Sequence, residues 1–268
     1  MKRKTGTPEV SKPFLTGAST DENTVRHSFR FLGIFFLIVF VSFLVCSMTG
    51  FKSAWLRIIV NIVIECLIAC IVFTKGEEHG TEDVARGEIL YQHQEKGQEI
   101  AGNERRIPYH PLKGFLIGLF GTIPFLICAI LLALTAEKVM TDTGLLPSWT
   151  ESFMRRSEIR DALVQYSQRV SISFTDILRI IVRMGIMPFV SLAGSENKDL
   201  LLLFERISPV LVLIPALFYG IGYTRGPARR SMVHSQIAEN AKKQRAKERR
   251  ARKQRLRKNV SQGPQQLN

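Results

Sequence analysis

Apolar residues in this chain come in long blocks rather than at the intervals of soluble helices or strands. Phe31 to Phe51 runs for 21 residues without a charge, and Gly114 to Ala136 for 23. Each is long enough to span a hydrocarbon core about 30 Å thick at about 1.5 Å per residue. Ala54 to Thr74 is equally long but holds Arg57, Asn61 and Glu65, and Ile207 to Thr224 is uncharged and extended upstream by the apolar Leu200 to Phe204. The pattern predicts an all-α integral membrane protein with four transmembrane helices. A fifth segment, Phe174 to Ala193, carries Asp176, Arg179 and Arg183 and is interrupted by Pro188, which removes a helical hydrogen bond. It is expected to be an amphipathic or re-entrant helix, with a fifth crossing as the alternative.

Charge arbitrates between these topologies. Lys and Arg number 6 in residues 1–30, 2 in 31–74, 6 in 75–113, 9 in 114–206 and 14 in 225–268. Four crossings gather 26 of the 37 basic residues on the side of both termini, whereas five bury Arg179 and Arg183 in the bilayer. The positive-inside rule therefore favours four, in a cell (plasma) membrane, with both termini cytoplasmic. The expected organisation is a polar cytoplasmic N-terminus (1–30), three membrane helices within 31–136 joined by a cytoplasmic loop (75–112), an outer amphipathic region (137–206) with its re-entrant helix at 174–193, a last span within 200–224, and a basic cytoplasmic tail (225–268). The 75–112 loop has eight acidic residues, Pro108, Pro111 and no apolar periodicity, which predicts partial disorder. In the outer region, Ser148 and Glu151 have capping-box spacing ahead of a predicted helix, Glu151 to Val170, striped by Ile159, Leu163, Tyr166 and Val170.

Candidate chemistry is sparse. The chain has no HExxH, GxSxG, phosphate-binding loop or CxxC pair, and Asp142-Thr143-Gly144 is an isolated tripeptide match to aspartic proteases. Cys46, Cys66, Cys70 and Cys128 all lie in apolar runs and are expected to pack as small apolar residues. No catalytic residue, cofactor or metal is expected.

The polar residues inside the spans are more informative. Arg57, Asn61 and Glu65 recur every four residues, which sets them on one slowly rotating helical stripe. Arg57 lies near the outer end, where it can snorkel. Glu65 is near the middle, where a charged carboxylate costs about 2.5–3.5 kcal/mol and needs neutralisation, a partner or water. It either pairs with Arg179 or Arg183, bonds to Asn61 or another helix, or lines a polar pathway in a transporter or permease subunit. A water-accessible polar cavity reaching Glu65 would favour transport. Gly114, Gly118 and Gly121 form a small-residue face that suits close helix packing within the chain, or a dimer.

The tail contributes +12 of the net charge of +14. Lys242, Lys243, Arg245, Lys247, Arg249, Arg250, Arg252, Lys253, Arg255, Arg257 and Lys258 are 11 of 17 consecutive residues. Their composition is helix-forming, but like charges one turn apart repel by about 0.2–0.5 kcal/mol per pair, so a partly disordered tail is expected. Its candidate partners are anionic lipid headgroups and RNA or the ribosome; otherwise it acts only as a topology signal. In charge placement, though not in motif, the tail resembles the ribosome-docking tails of membrane insertases of the Oxa type. The expected role is thus electrostatic contact at the cytoplasmic face.

Overall fold

The computed structural model describes residues 12–48, 54–137, 148–167, 173–194 and 197–261. Among these the fold is all-α. Four helices are long and apolar enough to cross a membrane: α1 (Glu22–Met48), α2 (Ala54–Glu95), α3 (Lys113–Thr135) and α8 (Lys198–Thr224). The remainder are α4 (Glu151–Met154), α5 (Ser157–Ser167), α6 (Phe174–Gly185), α7 (Met187–Ala193) and α9 (Gly226–Ser261).

Helices α3 and α8 pack on each other along their length, α2 covers α8, and α1 covers α3. The residues between them are mostly large and apolar: Phe31 and Phe35 from α1, Ile117, Phe125 and Leu132 from α3, and Val212 and Tyr219 from α8. Phe35 meets Phe125 edge-on at 4.9 Å between ring centres, and Phe31 meets Tyr219 in the same way at 4.9 Å. Apolar side chains also crowd the outside of the bundle, among them Phe36, Leu37, Phe40, Ile62, Leu67 and Leu134. Such a surface suits hydrocarbon, not water. In hydrocarbon the bundle holds together through close packing and internal polar contacts, because lipid tails are as apolar as leucine.

The fifth apolar segment does not form one helix. It breaks at Ile186 into α6 and α7, with Pro188 in the first turn of α7, where its missing N–H costs nothing. Helix α6 lies on α3, while α7 lies on α2 and α1. Ile186 at the break is buried in the bundle core. The start of α6 carries the capping box, formed by Ser173 and Asp176. The Ser173 N–H and hydroxyl hold the Asp176 carboxyl below its usual range. Ser148 does not stand at the cap of the following helix: it sits in a 3₁₀ turn, and Thr150 takes the cap position of α4. The predicted helix Glu151 to Val170 is instead α4 and α5, separated at Arg155 and Arg156, and Val170 lies outside the described residues.

Two expectations about the polar segments are corrected. Residues 75–95, read as part of a partly disordered loop, continue α2 without interruption, making it 42 residues long, or about 63 Å. About half of α2 therefore projects beyond the span. The basic tail is likewise one helix, α9, through Ser261. The two stabilise each other. Gly76, Gly80 and Gly222 sit where α2 crosses α8, and Gly226 at the start of α9 lies on Gly80: a Cβ on Gly76 would stand 2.2 Å from the Tyr219 carbonyl oxygen, and one on Gly222 would stand 2.1 Å from that of Phe73. Each glycine costs about 1 kcal/mol in a helix, and close backbone approach offsets that cost. Acidic residues of α2 then neutralise the first turns of α9. Glu77 pairs with Arg229, and Glu88 accepts hydrogen bonds from Arg230 at 2.9 Å and pairs with His234 at 2.7 Å. A docked first half supplies the helix nucleus that like charges would otherwise oppose.

Residues 12–21, the extension of α2 and α9 all lie at one end of the bundle, the tail side. Leu15 donates its N–H to the Gly87 carbonyl, and Gly17 donates to that of Tyr109.

Candidate functional site

Polar groups collect at three levels of the bundle. On the tail side, Lys113 at the start of α3 is fully buried. A buried ammonium must spend all three protons on acceptors, and here it does. Its Nζ lies 3.2 Å from Asp21 Oδ2, 3.0 Å from Asp83 Oδ2 and 2.7 Å from the Ile107 carbonyl oxygen. Asp21 also accepts the Thr24 N–H at 2.7 Å, as a residue capping a helix N-terminus does. Asp83 accepts the Tyr223 hydroxyl at 2.6 Å. Tyr223 is stacked on Tyr109, with ring centres 5.3 Å apart, and burial pushes the Tyr109 hydroxyl up from its ordinary pKa. Beside this hub, His79 shares a 2.6 Å hydrogen bond with Tyr219 and lies against His27, ring centres 4.6 Å apart. The hub ties the N-terminus, α2, α3 and α8 together. Sequence reasoning missed it, because Asp21 and Asp83 lie outside the predicted spans and Lys113 at the edge of one, where charges ordinarily face water.

On the far side, Arg179 and Arg183 converge on Glu205 of α8, not on Glu65. Arg179 Nε is 2.8 Å and Arg183 Nη2 2.7 Å from Glu205 Oε1. Asp176 Oδ1 lies 3.2 Å from Arg179 Nη1, and the Glu137 carbonyl accepts from Arg179 at 3.2 Å. This cluster locks α6 to α8 and to the end of α3. The proposed pairing with Glu65 fails for a geometric reason: Arg179 and Arg183 are on α6, which packs against α3 and α8, while α7 intervenes on the side of α2.

Midway through the bundle, the three members of the predicted stripe separate. The Arg57 guanidinium lies against Gly194, where a Cβ would stand 2.9 Å from Nη1. Asn61 is only 3% exposed; it accepts from the Cys46 thiol at 3.6 Å and donates to Ser191 Oγ at 3.2 Å, joining α1, α2 and α7. Glu65 makes no hydrogen bond or ion pair with a described residue. It borders an open cavity of about 310 Å³ between α2, α7 and α8, whose other walls include Cys66, Ala69, Phe189, Pro215 and Phe218. Apart from Glu65 and Asn61 these walls are apolar, and a much smaller cavity that also borders Glu65 has Ser42 among otherwise apolar walls. Glu65→Gln is therefore expected to leave thermal unfolding in detergent within about 0.5 kcal/mol of wild type; marked destabilisation would reveal a partner.

The glycines of α3 face inward. Gly114 lies against Tyr223, Gly118 against Ala216, and Gly121 against Phe31 and Ser28. Asp142, Thr143 and Gly144 lie outside the described residues. Among the described residues no group of three His, Cys, Asp or Glu side chains could hold a metal ion.

Beyond its docked turns, α9 is exposed from residue 240 through 254. Lys242, Lys243, Arg245, Lys247, Arg249, Arg250, Arg252 and Lys253 are all exposed. Arg255, Arg257 and Lys258 continue the helix. The start of the basic run follows the turns that α2 supports: Glu88, seven residues from the end of α2, faces His234, eight residues before Lys242. No family model matches the chain, and no curated protein or solved structure matches it either.

Proposed function

We propose that this protein anchors an RNA-binding arm to the cytoplasmic face of the cell membrane. One observation carries the proposal. Helix α9 leaves the bundle alongside the extension of α2, so its basic run begins sixteen residues beyond Gly226, or about 24 Å along the helix. Attraction to an anionic bilayer decays over about 8 Å at physiological salt. The run is thus held away from its own membrane and offered to a soluble polyanion. Basic side chains on every face suit a phosphate backbone, and the lack of aromatic residues after Tyr223 suits contact that ignores base identity.

The test compares the full chain with a truncation after Asn240, which keeps Arg229, Arg230 and His234 docked. Both are placed in bilayer discs of zwitterionic lipid and titrated with a fluorescent single-stranded RNA. If six phosphates are neutralised, log K should fall with log salt at a slope of about −4, so tripling the salt weakens binding about 100-fold. The truncation should lose this binding. Equal RNA affinity in both chains would overturn the proposal. Protection of the arm from trypsin in discs prepared with anionic lipid, but not by RNA, would assign it to the lipid surface instead.

A further inference from the structure

Glu65 stands eleven residues from the start of α2 and ten from Lys75, hence about 15 Å from either edge of a 30 Å core. Burying a carboxylate at that depth without a partner is costly. The other polar groups at this level are satisfied inside the bundle, as Asn61 is by Cys46 and Ser191. The Glu65 side chain instead borders the open apolar groove between α2, α7 and α8, and on its other side a much smaller cavity toward Ser42 of α1. On the lipid-facing side of α2, the neighbouring residues Cys66, Ala69 and Cys70 are small. Small side chains let a second helix approach closely in hydrocarbon.

We infer that this groove is a docking site for a transmembrane helix of another protein, one that carries a lysine or arginine at the middle of its span. Such a helix fills the apolar walls with its own side chains. It also brings a cation that offsets the cost of an ionised Glu65, while Glu65 offsets the cost of the partner's cation. A second copy of this chain does not fit. The described spans α1 (from Phe31), α3 (from Gly114) and α8 (from Ile207) contain no lysine or arginine, Arg57 of α2 lies eight residues from Glu65, or about 12 Å toward the edge of the span, and Arg179 and Arg183 are committed to Glu205. An acyl chain would fill the groove without answering the charge. This inference does not depend on the arm.

The experiment uses the full chain in bilayer discs with synthetic leucine–alanine helices as probes. One helix has a central lysine, a second has leucine there, and both carry a cysteine one turn from the centre. Cys66 and Cys70 are exposed, so mild oxidation reports docking as a disulfide located by mass spectrometry. The lysine helix should cross-link to Cys66 or Cys70 at least tenfold more than the leucine helix, and Glu65→Gln should erase that preference. Equal cross-linking of the two helices to the wild-type chain would overturn the inference, independently of how the variant behaves. So would cross-linking mainly to Cys128, or a preference that survives in Glu65→Gln. Cross-linking of Cys66 between two copies in the absence of any probe would assign the groove to self-association and overturn it as well.

Discussion

Lys113→Met should destabilise the protein by about 3–5 kcal/mol, the usual cost of removing one partner from a buried ion pair. Methionine fills the space but leaves Asp21 and Asp83 facing each other without the cation that now bridges them. It also leaves the Ile107 carbonyl without its donor. Because the hub joins the chain's N-terminus to α2, α3 and α8, the loss should appear as a lowered unfolding temperature of the whole bundle. Adding Asp83→Asn to Lys113→Met should recover part of the loss, since it removes one of the two unpaired charges; the cycle of single and double variants measures the coupling directly. A Lys113→Met protein that melts like wild type would show that the bridge contributes nothing.

Glu205→Gln should have the second largest effect. Glu205 is 2% exposed and is the carboxylate that both Arg179 and Arg183 reach. Its amide cannot balance two guanidinium charges. A loss approaching 3 kcal/mol is expected, at the lower end of the range for broken buried pairs, because Asp176 and the Glu137 carbonyl still serve Arg179. Arg183→Met should cost less, since Arg183 is partly exposed and Arg179 continues to satisfy Glu205. Thermal unfolding of the two variants side by side tests this order. If Arg183→Met proved the more damaging, Glu205 would not be the centre of the cluster.

Two of the four spans were legible as uncharged runs of more than twenty residues, and the other two as long apolar runs with few charges or none, a pattern that has few other uses. The break at Ile186 was foreshadowed by Pro188, and the inward face of α3 by its three glycines. What escaped was long-range pairing. Glu205 lies 26 and 22 residues from Arg179 and Arg183, and no periodicity links residues so far apart. The extension of α2 was hidden for a different reason. Its acidic residues look like a solvated loop until the basic first turns of α9 are laid beside them. The stripe of Arg57, Asn61 and Glu65 was a real spacing, but a drift of about 40° per step was enough to turn Asn61 into the bundle and leave Glu65 at the groove.

The two halves of α9 are bound by different rules. Up to His234 the helix is phase-locked: Arg229, Arg230 and His234 must meet Glu77 and Glu88, so a one-residue insertion at the Arg225 joint would swing them about 100° out of place. Past Asn240 the charges circle the axis, and no rotation removes them. Over evolutionary time the outer half can therefore drift, shuffle and change length while keeping only its charge, whereas the inner half is held to particular letters at particular positions.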